Sequence, residues 1–188
     1  FMGLVREMAT RAFSLLENLL VWARSQRGSI EFNPSRVNLY KAAESVVELY
    51  TPAALEKKTS LFLSPTCNIH LQCDPNMLQV ILRNLIGNSV KFTQNGEITV
   101  TCQLAGSMAE IAVSDTGLGM DAQTSENLFR KGTSVASRPG TRGEKGSALG
   151  LMLCTEFVDR HNGHIAVESQ PGKGTTIRFT LPLHTSQQ

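Results

Sequence analysis

Residues Arg83 to Phe92 read RNLIGNSVKF. Asn84, Asn88 and Lys91 are spaced by four and then three, and an α-helix turns about 100° per residue, so the three share one face. Leu78, Ile81, Leu82 and Leu85 fall at i, i+3, i+4 and i+7, the apolar stripe of a helix packed on a sheet. Asp74-Pro75 opens that helix with an N-cap carboxylate and a proline at the first helical position. Two amides and an ammonium on its remaining face make either a solvated surface or a binding edge. The stretches that follow choose between these.

Asp115-Thr116-Gly117-Leu118-Gly119-Met120 comes directly after a predicted strand. A carboxylate fixed at a strand end can accept a hydrogen bond from the exocyclic amine of adenine, and the glycines beyond it let backbone approach a ligand closely. A second glycine loop, Gly146-Ser147-Ala148-Leu149-Gly150-Leu151, opens the next predicted helix, where backbone N–H groups and the macrodipole favour phosphate. Gly172-Lys173-Gly174-Thr175 is a third. Each loop alone is a common turn; the three in order after an asparagine helix are specific.

Composition sets the frame. The 188 residues suit one domain of ordinary size with an appendage, and 41% hydrophobic with 18% charged residues is the balance of a soluble globular protein. A net charge of +2 is too small to argue for nucleic acid, and none is expected as a partner. No apolar run approaches the roughly 18 to 20 residues of a membrane span, so a membrane link is expected only through segments outside this sequence. Cys67, Cys73, Cys102 and Cys154 show neither a CxxC pair nor a metal spacing and read as reduced core residues of a reducing, cytoplasmic compartment.

Along the chain, residues 2 to 27 read as one helix. Val5, Met8, Ala12, Leu15, Leu19 and Trp22 form a heptad seam, with Ala9, Phe13, Leu16, Leu20 and Ala23 beside it. Two adjoining stripes call for a bundle, its other helices supplied by another copy, by upstream sequence or by both; the alternative is a helix folded back on the domain. Asn38 is expected to cap a helix that Pro52 bends or interrupts. Strands are expected at 61–63 and 69–71 with a turn at Pro65, at 97–104 and 109–114, and in a closing hairpin of 164–169 and 175–181; a further helix runs from Leu149 to His161. The fold class is α+β: a two-layer sandwich of helices on one side of a mixed, largely antiparallel sheet.

This ordered set resembles the catalytic, ATP-binding domain of sensor histidine kinases, within the gyrase-like (GHKL) ATPase superfamily, over residues 37 to 182. RNLIGNSVKF is similar to the N box, DTGLGM to the first glycine box, LFRKG with Phe129 to the F box, GSALGL to the second glycine box and GKGTT to the third. LLENLLVWARSQRGSIEFNP is similar to the second helix of the dimerisation and phosphoacceptor hairpin. The resemblance implies a Bergerat-type ATP-binding fold over 37–188, a linker at 29–36 and a partial dimerisation helix at 1–28, homodimeric through that helix in the full protein.

It also implies roles. Asn88 would hold Mg²⁺; Asn84 and Lys91 would contact the ATP phosphates or the water shell of the metal, and carry catalysis. Asp115 would select adenine, with Thr175 helping through a water. Gly117, Gly119, Gly146, Ser147 and Gly150 would line the nucleotide pocket, and Phe129 would anchor a lid. Arg130, Lys131, Arg142 and Lys145 would lie in that lid, each either facing the γ-phosphate or solvated. Water-hydrolysing members of the superfamily carry a glutamate four residues before the metal-binding asparagine, as general base; Asn84 is an amide and cannot take that proton. The implied activity is phosphotransfer from Mg-ATP to a histidine, then relay to a response-regulator aspartate.

Two departures stand out. Ala148 replaces the middle glycine of the second glycine box, which supports an alternative reading as a nucleotide-sensing dimerisation or regulatory module with weak or no kinase activity. No histidine precedes His70, and His70, His161, His164 and His184 read as structural or surface residues, so the phosphoacceptor is expected outside this sequence.

Overall fold

A computed structural model of the chain describes residues 31–130, 139–144 and 149–184. The helix expected over residues 2–27, Lys131 and the stretch Lys145 to Ala148 lie outside the described residues. The chain divides into two compact units, Phe1–Phe32 and Asn33–Gln188, and the description that follows concerns the second.

A short strand, β1 (Ser35–Asn38), leads into helix α1 (Leu39–Glu56). Asn38 caps α1 as expected, its Oδ1 accepting the Lys41 N–H at 2.9 Å. Pro52 does not interrupt the helix. A proline removes one donor to the carbonyl four residues back, here Glu48; both residues are exposed, so water can satisfy that oxygen.

Strand β2 (Ser60–Leu63) and β3 (His70–Cys73) are joined through a 3₁₀ turn, Pro65–Cys67, but lie in different sheets. β3 pairs antiparallel with β1, whereas β2 runs parallel to β4 (Glu97–Ala105). After β4 come β5 (Met108–Asp115), the short helix α3 (Ala122–Asn127), helix α4 (Leu149–Arg160), and the hairpin β6 (Ile165–Gln170) and β7 (Gly174–Pro182). The main sheet is ordered β2-β4-β5-β7-β6, mixed because of β2 and otherwise antiparallel.

Between β3 and β4 runs helix α2 (Pro75–Phe92), whose predicted apolar row Leu78, Ile81, Leu82 and Leu85 is fully buried. It packs on β4 and β5, whose inward rows include Ile98 and Val100, and Ile111 and Val113, while α4 packs on β7, which turns Ile177 and Phe179 inward. Alternate residues on those strands, such as Thr101, Gln103 and Arg178, reach solvent, which leaves one face for the helices. Asp74 fixes the start of α2, its Oδ1 accepting from the Asn76 and Met77 amides. All four cysteines are buried free thiols, and burial pushes Cys67 up to about 11 and Cys73 and Cys102 up to about 12.

Candidate functional site

Strand alternation puts Asp115 where it is. Ala109, Ile111 and Val113 of β5 point inward, so the next residue of that row, Asp115, ends the strand beneath the last turns of α2. Its Oδ1 accepts from the Gly117 amide at 3.0 Å and the Thr175 amide at 3.2 Å, and its Oδ2 accepts from the Ser89 hydroxyl at 3.0 Å. Burial pushes this carboxyl above its ordinary value, opposed by those three donors and by the nearby Thr93 hydroxyl. Thr93 is fully buried, and among the described residues its Oγ1 has no other hydrogen-bond partner. Asp115 and Thr175 border an open cleft of about 760 Å³ with Ala122, Ser169 and Lys173. Asn84, Asn88 and Lys91 are not among its lining residues.

The glycines of the Asp115 loop serve packing of the protein on itself. A Cβ on Gly117 would come 2.4 Å from the Phe92 carbonyl at the end of α2, and one on Gly119 would come 1.9 Å from the Gln170 carbonyl. A Cβ at either position would meet protein backbone, so the loop is wedged between α2 and the β6–β7 hairpin. Leu118 N donates to Phe92 O and Met120 N to Ser169 Oγ, so both sides of the wedge are tied. Gly150, at the start of α4, is buried against Asn84, whose Oδ1 would lie 2.0 Å from an added Cβ.

Asn84, Asn88 and Lys91 are all half-buried on one flank of α2. Asn84 Nδ2 donates to Val80 O one turn back, which turns its oxygen outward from the helix towards Gly150. Lys91 stands over the Phe92 ring at 4.4 Å. Burial lowers the pKa of Lys91, Glu144 opposes that, and Lys57 adds to it. Arg142, left between the γ-phosphate and solvent by the sequence, donates to the Glu56 carbonyl at the end of α1 and lies 3.8 Å from the Glu56 carboxylate. Phe129 is half-buried just after α3. Gly146 and Ser147 lie outside the described residues.

Residues 73–185 match the family described as histidine kinase-, DNA gyrase B-, and HSP90-like ATPase. The chain belongs to that family. Among curated relatives, sensor protein EvgS of Escherichia coli K12 is 27% identical over 204 residues, covering 99% of this chain and 17% of EvgS. Sensor histidine kinase RcsC of the same strain is 28% identical over 179 residues, covering 92% of this chain and 18% of RcsC. The chain thus spans less than a fifth of either relative. Among solved structures, full-length ShkA in complex with AMPPNP is 28% identical with a TM-score of 0.78, covering 96% of this chain and 38% of ShkA. The catalytic domain of histidine kinase ThkA, 22% identical, shares the fold with a TM-score of 0.67 over 82% of this chain and 97% of that one.

Within this ATPase fold, several residues escape a reading of the sequence. Ser89 follows Leu82 and Leu85 on the apolar face of α2, and a hydroxyl in that row had to find a buried partner, which is Asp115. Thr93 and Ser169 carry no such periodic signal. Neither does Lys57, whose ammonium reaches the end of α2.

Proposed function

We propose that this chain contains the ATP-binding, phosphotransferring core of a sensor histidine kinase. It would transfer the γ-phosphoryl of Mg-ATP to a histidine outside residues 1–188, for relay to a response-regulator aspartate. The observation that carries the reading is the Asp115 carboxylate, held by three protein donors at the border of a cleft that Thr175 also lines. A base amine donating to Asp115 and a water meeting Thr175 would complete that set.

The flank of α2 fits the other end of such a ligand. The Asn88 side chain, half-buried and without a hydrogen bond among the described residues, would hold Mg²⁺ through its oxygen. Asn84 and Lys91 would meet phosphate oxygens or the water shell of the metal. Bound Mg²⁺ supplies neutralisation of phosphate charge, and the contribution of the protein is positioning. An amide at Asn84 takes no proton from water, which favours phosphoryl transfer to a protein nucleophile over hydrolysis. Residues 1–28 would serve dimerisation, and the site would face the cytoplasm. Among the described residues no helix is long and apolar enough to cross a membrane.

Labelled ATP, Mg²⁺ and a phosphoacceptor helical hairpin supplied in trans should yield an acid-labile phosphoprotein. None at saturating ATP, with nucleotide binding verified, contradicts kinase activity. Ala148 favours a second reading, a nucleotide-sensing dimerisation module, which expects binding and self-association without transfer.

A further inference from the structure

Lys57 is only 5% exposed, unusual for a lysine unless its charge is matched. Its backbone N–H caps α1 by donating to Ala54 O at 3.0 Å. Its side chain crosses to the other helix: Nζ donates to Val90 O and Lys91 O, both at 2.8 Å, and to Thr141 Oγ1 at 2.8 Å, and pairs with Glu144 Oε1 at 2.5 Å. Lys57 thus closes α1 with its backbone N–H and places its ammonium at the C-terminal end of α2, where carbonyls and the dipole favour a cation. It also grips the segment 139–144. That segment lies directly on Lys91: Thr141 N donates to Lys91 O at 3.1 Å, and a Cβ on Gly140 would stand 2.6 Å from Lys91 Cγ.

Glu144 is a half-buried carboxylate close to two cations. Burial alone would raise its pKa, but the Lys57 ammonium and the amide of Arg142 outweigh that, so it stays charged. Lys91 feels both charges. We propose that Lys57 is a positioning residue for nucleotide phosphates: by engaging the Glu144 carboxylate it limits the pull of that charge on Lys91. The proposal rests on the nucleotide reading above, which places Lys91 at the phosphates. Without the Lys57 ammonium, Glu144 is left to act on Lys91 and compete with phosphate for it.

Calorimetric titration of the whole chain with a non-hydrolysable ATP analogue and, separately, with adenosine tests this on the native protein, Lys57→Gln, Glu144→Gln and the double variant. Lys57→Gln is expected to weaken the analogue about tenfold, the scale of one charge-assisted hydrogen bond, and to leave adenosine within about twofold. The double variant is expected to return to within about threefold of native, and Glu144→Gln alone to stay near native. Where Lys57→Gln fails to fold, the double variant, which loses the stranded carboxylate with the ammonium, carries the test. A loss that persists in the double variant, or that extends to adenosine, makes Lys57 merely structural and overturns the proposal, as does native-like analogue binding by Lys57→Gln. Failure of the native chain to bind the analogue contradicts the nucleotide reading itself, and the role of Lys57 falls with it.

Discussion

The backbone N–H of Asp74 donates to Nε2 of the buried His161 at 2.9 Å, while Nδ1 of the same ring lies 2.6 Å from Phe157 O. An accepting Nε2 leaves the proton on Nδ1, so the ring is neutral and ties the start of α2 to the end of α4. Burial lowers the pKa of His161 from 6.5, against the Phe157 hydrogen bond and the Asp74 charge. The unfolded chain therefore takes up a proton before the folded one does. Stability from this group is complete above the unfolded value and is lost as pH falls through the lower folded value. The urea midpoint should fall between about pH 7.5 and about pH 5, and His161→Gln should flatten that decline. An unchanged slope in the variant would place the acid sensitivity elsewhere.

Gly150→Ala should drive its methyl onto Asn84 Oδ1, 2.0 Å away. The expected cost is about 1 to 3 kcal/mol, the scale of overpacking. In the Gly150→Ala/Asn84→Ala double variant the opposing oxygen and Cγ are gone and the nearest Asn84 atom is Cβ at 3.7 Å, so most of the cost should vanish. Denaturant melts of the four-member cycle check this; additive losses would mean that α4 does not sit against Asn84.

Two glycines with nearly the same backbone angle should respond differently to alanine. Gly106 (φ 64°) has open space around it, so Gly106→Ala costs only the left-handed conformation, about 1 kcal/mol. Gly119 (φ 63°) faces the Gln170 carbonyl at 1.9 Å, and backbone cannot turn aside as a side chain can. Gly119→Ala should lose about 3 kcal/mol or more and loosen the Asp115 loop from the hairpin. Equal melting temperatures for the two variants would contradict the wedge.

The N-cap of α2 makes a smaller claim. Asp74→Ala removes the acceptor for Asn76, Met77 and, through Oδ2, Asn33, and should cost about 1 to 2 kcal/mol in a thermal melt. A neutral outcome would show that Pro75 and the apolar row suffice to start the helix.

Local periodicity made much of this legible. The apolar row of α2 and the strand-end position of Asp115 follow from spacings of 3.6 and 2, the Asp74 cap from the Asp-Pro pair, and the structure has all three. Pairing between distant strands leaves no such mark, so nothing near Pro65 shows that β2 joins β4 while β3 joins β1. Nothing local sets Lys57 apart from Lys58, yet Lys58 is exposed and Lys57 is buried with its ammonium on the end of α2. Gly117 and Gly119 stand out in sequence, but whether they admit a ligand or the Phe92 and Gln170 carbonyls is settled by tertiary packing. Arg142 could not be aimed from sequence, since its partner Glu56 is 86 residues away.

The most direct test of the central claim is calorimetric titration of the native chain and Asp115→Asn with ADP and a non-hydrolysable ATP analogue, with and without Mg²⁺. Asparagine keeps an oxygen for the Gly117 and Thr175 amides and presents its NH₂ to Ser89 Oγ, so the variant should fold, but it meets a base amine with a donor instead of an acceptor. Mg²⁺-strengthened binding by the native chain, lost in a folded Asp115→Asn, is the expected result. Equal binding by the two, or none by the folded native chain, would contradict Asp115 as the centre of a nucleotide site.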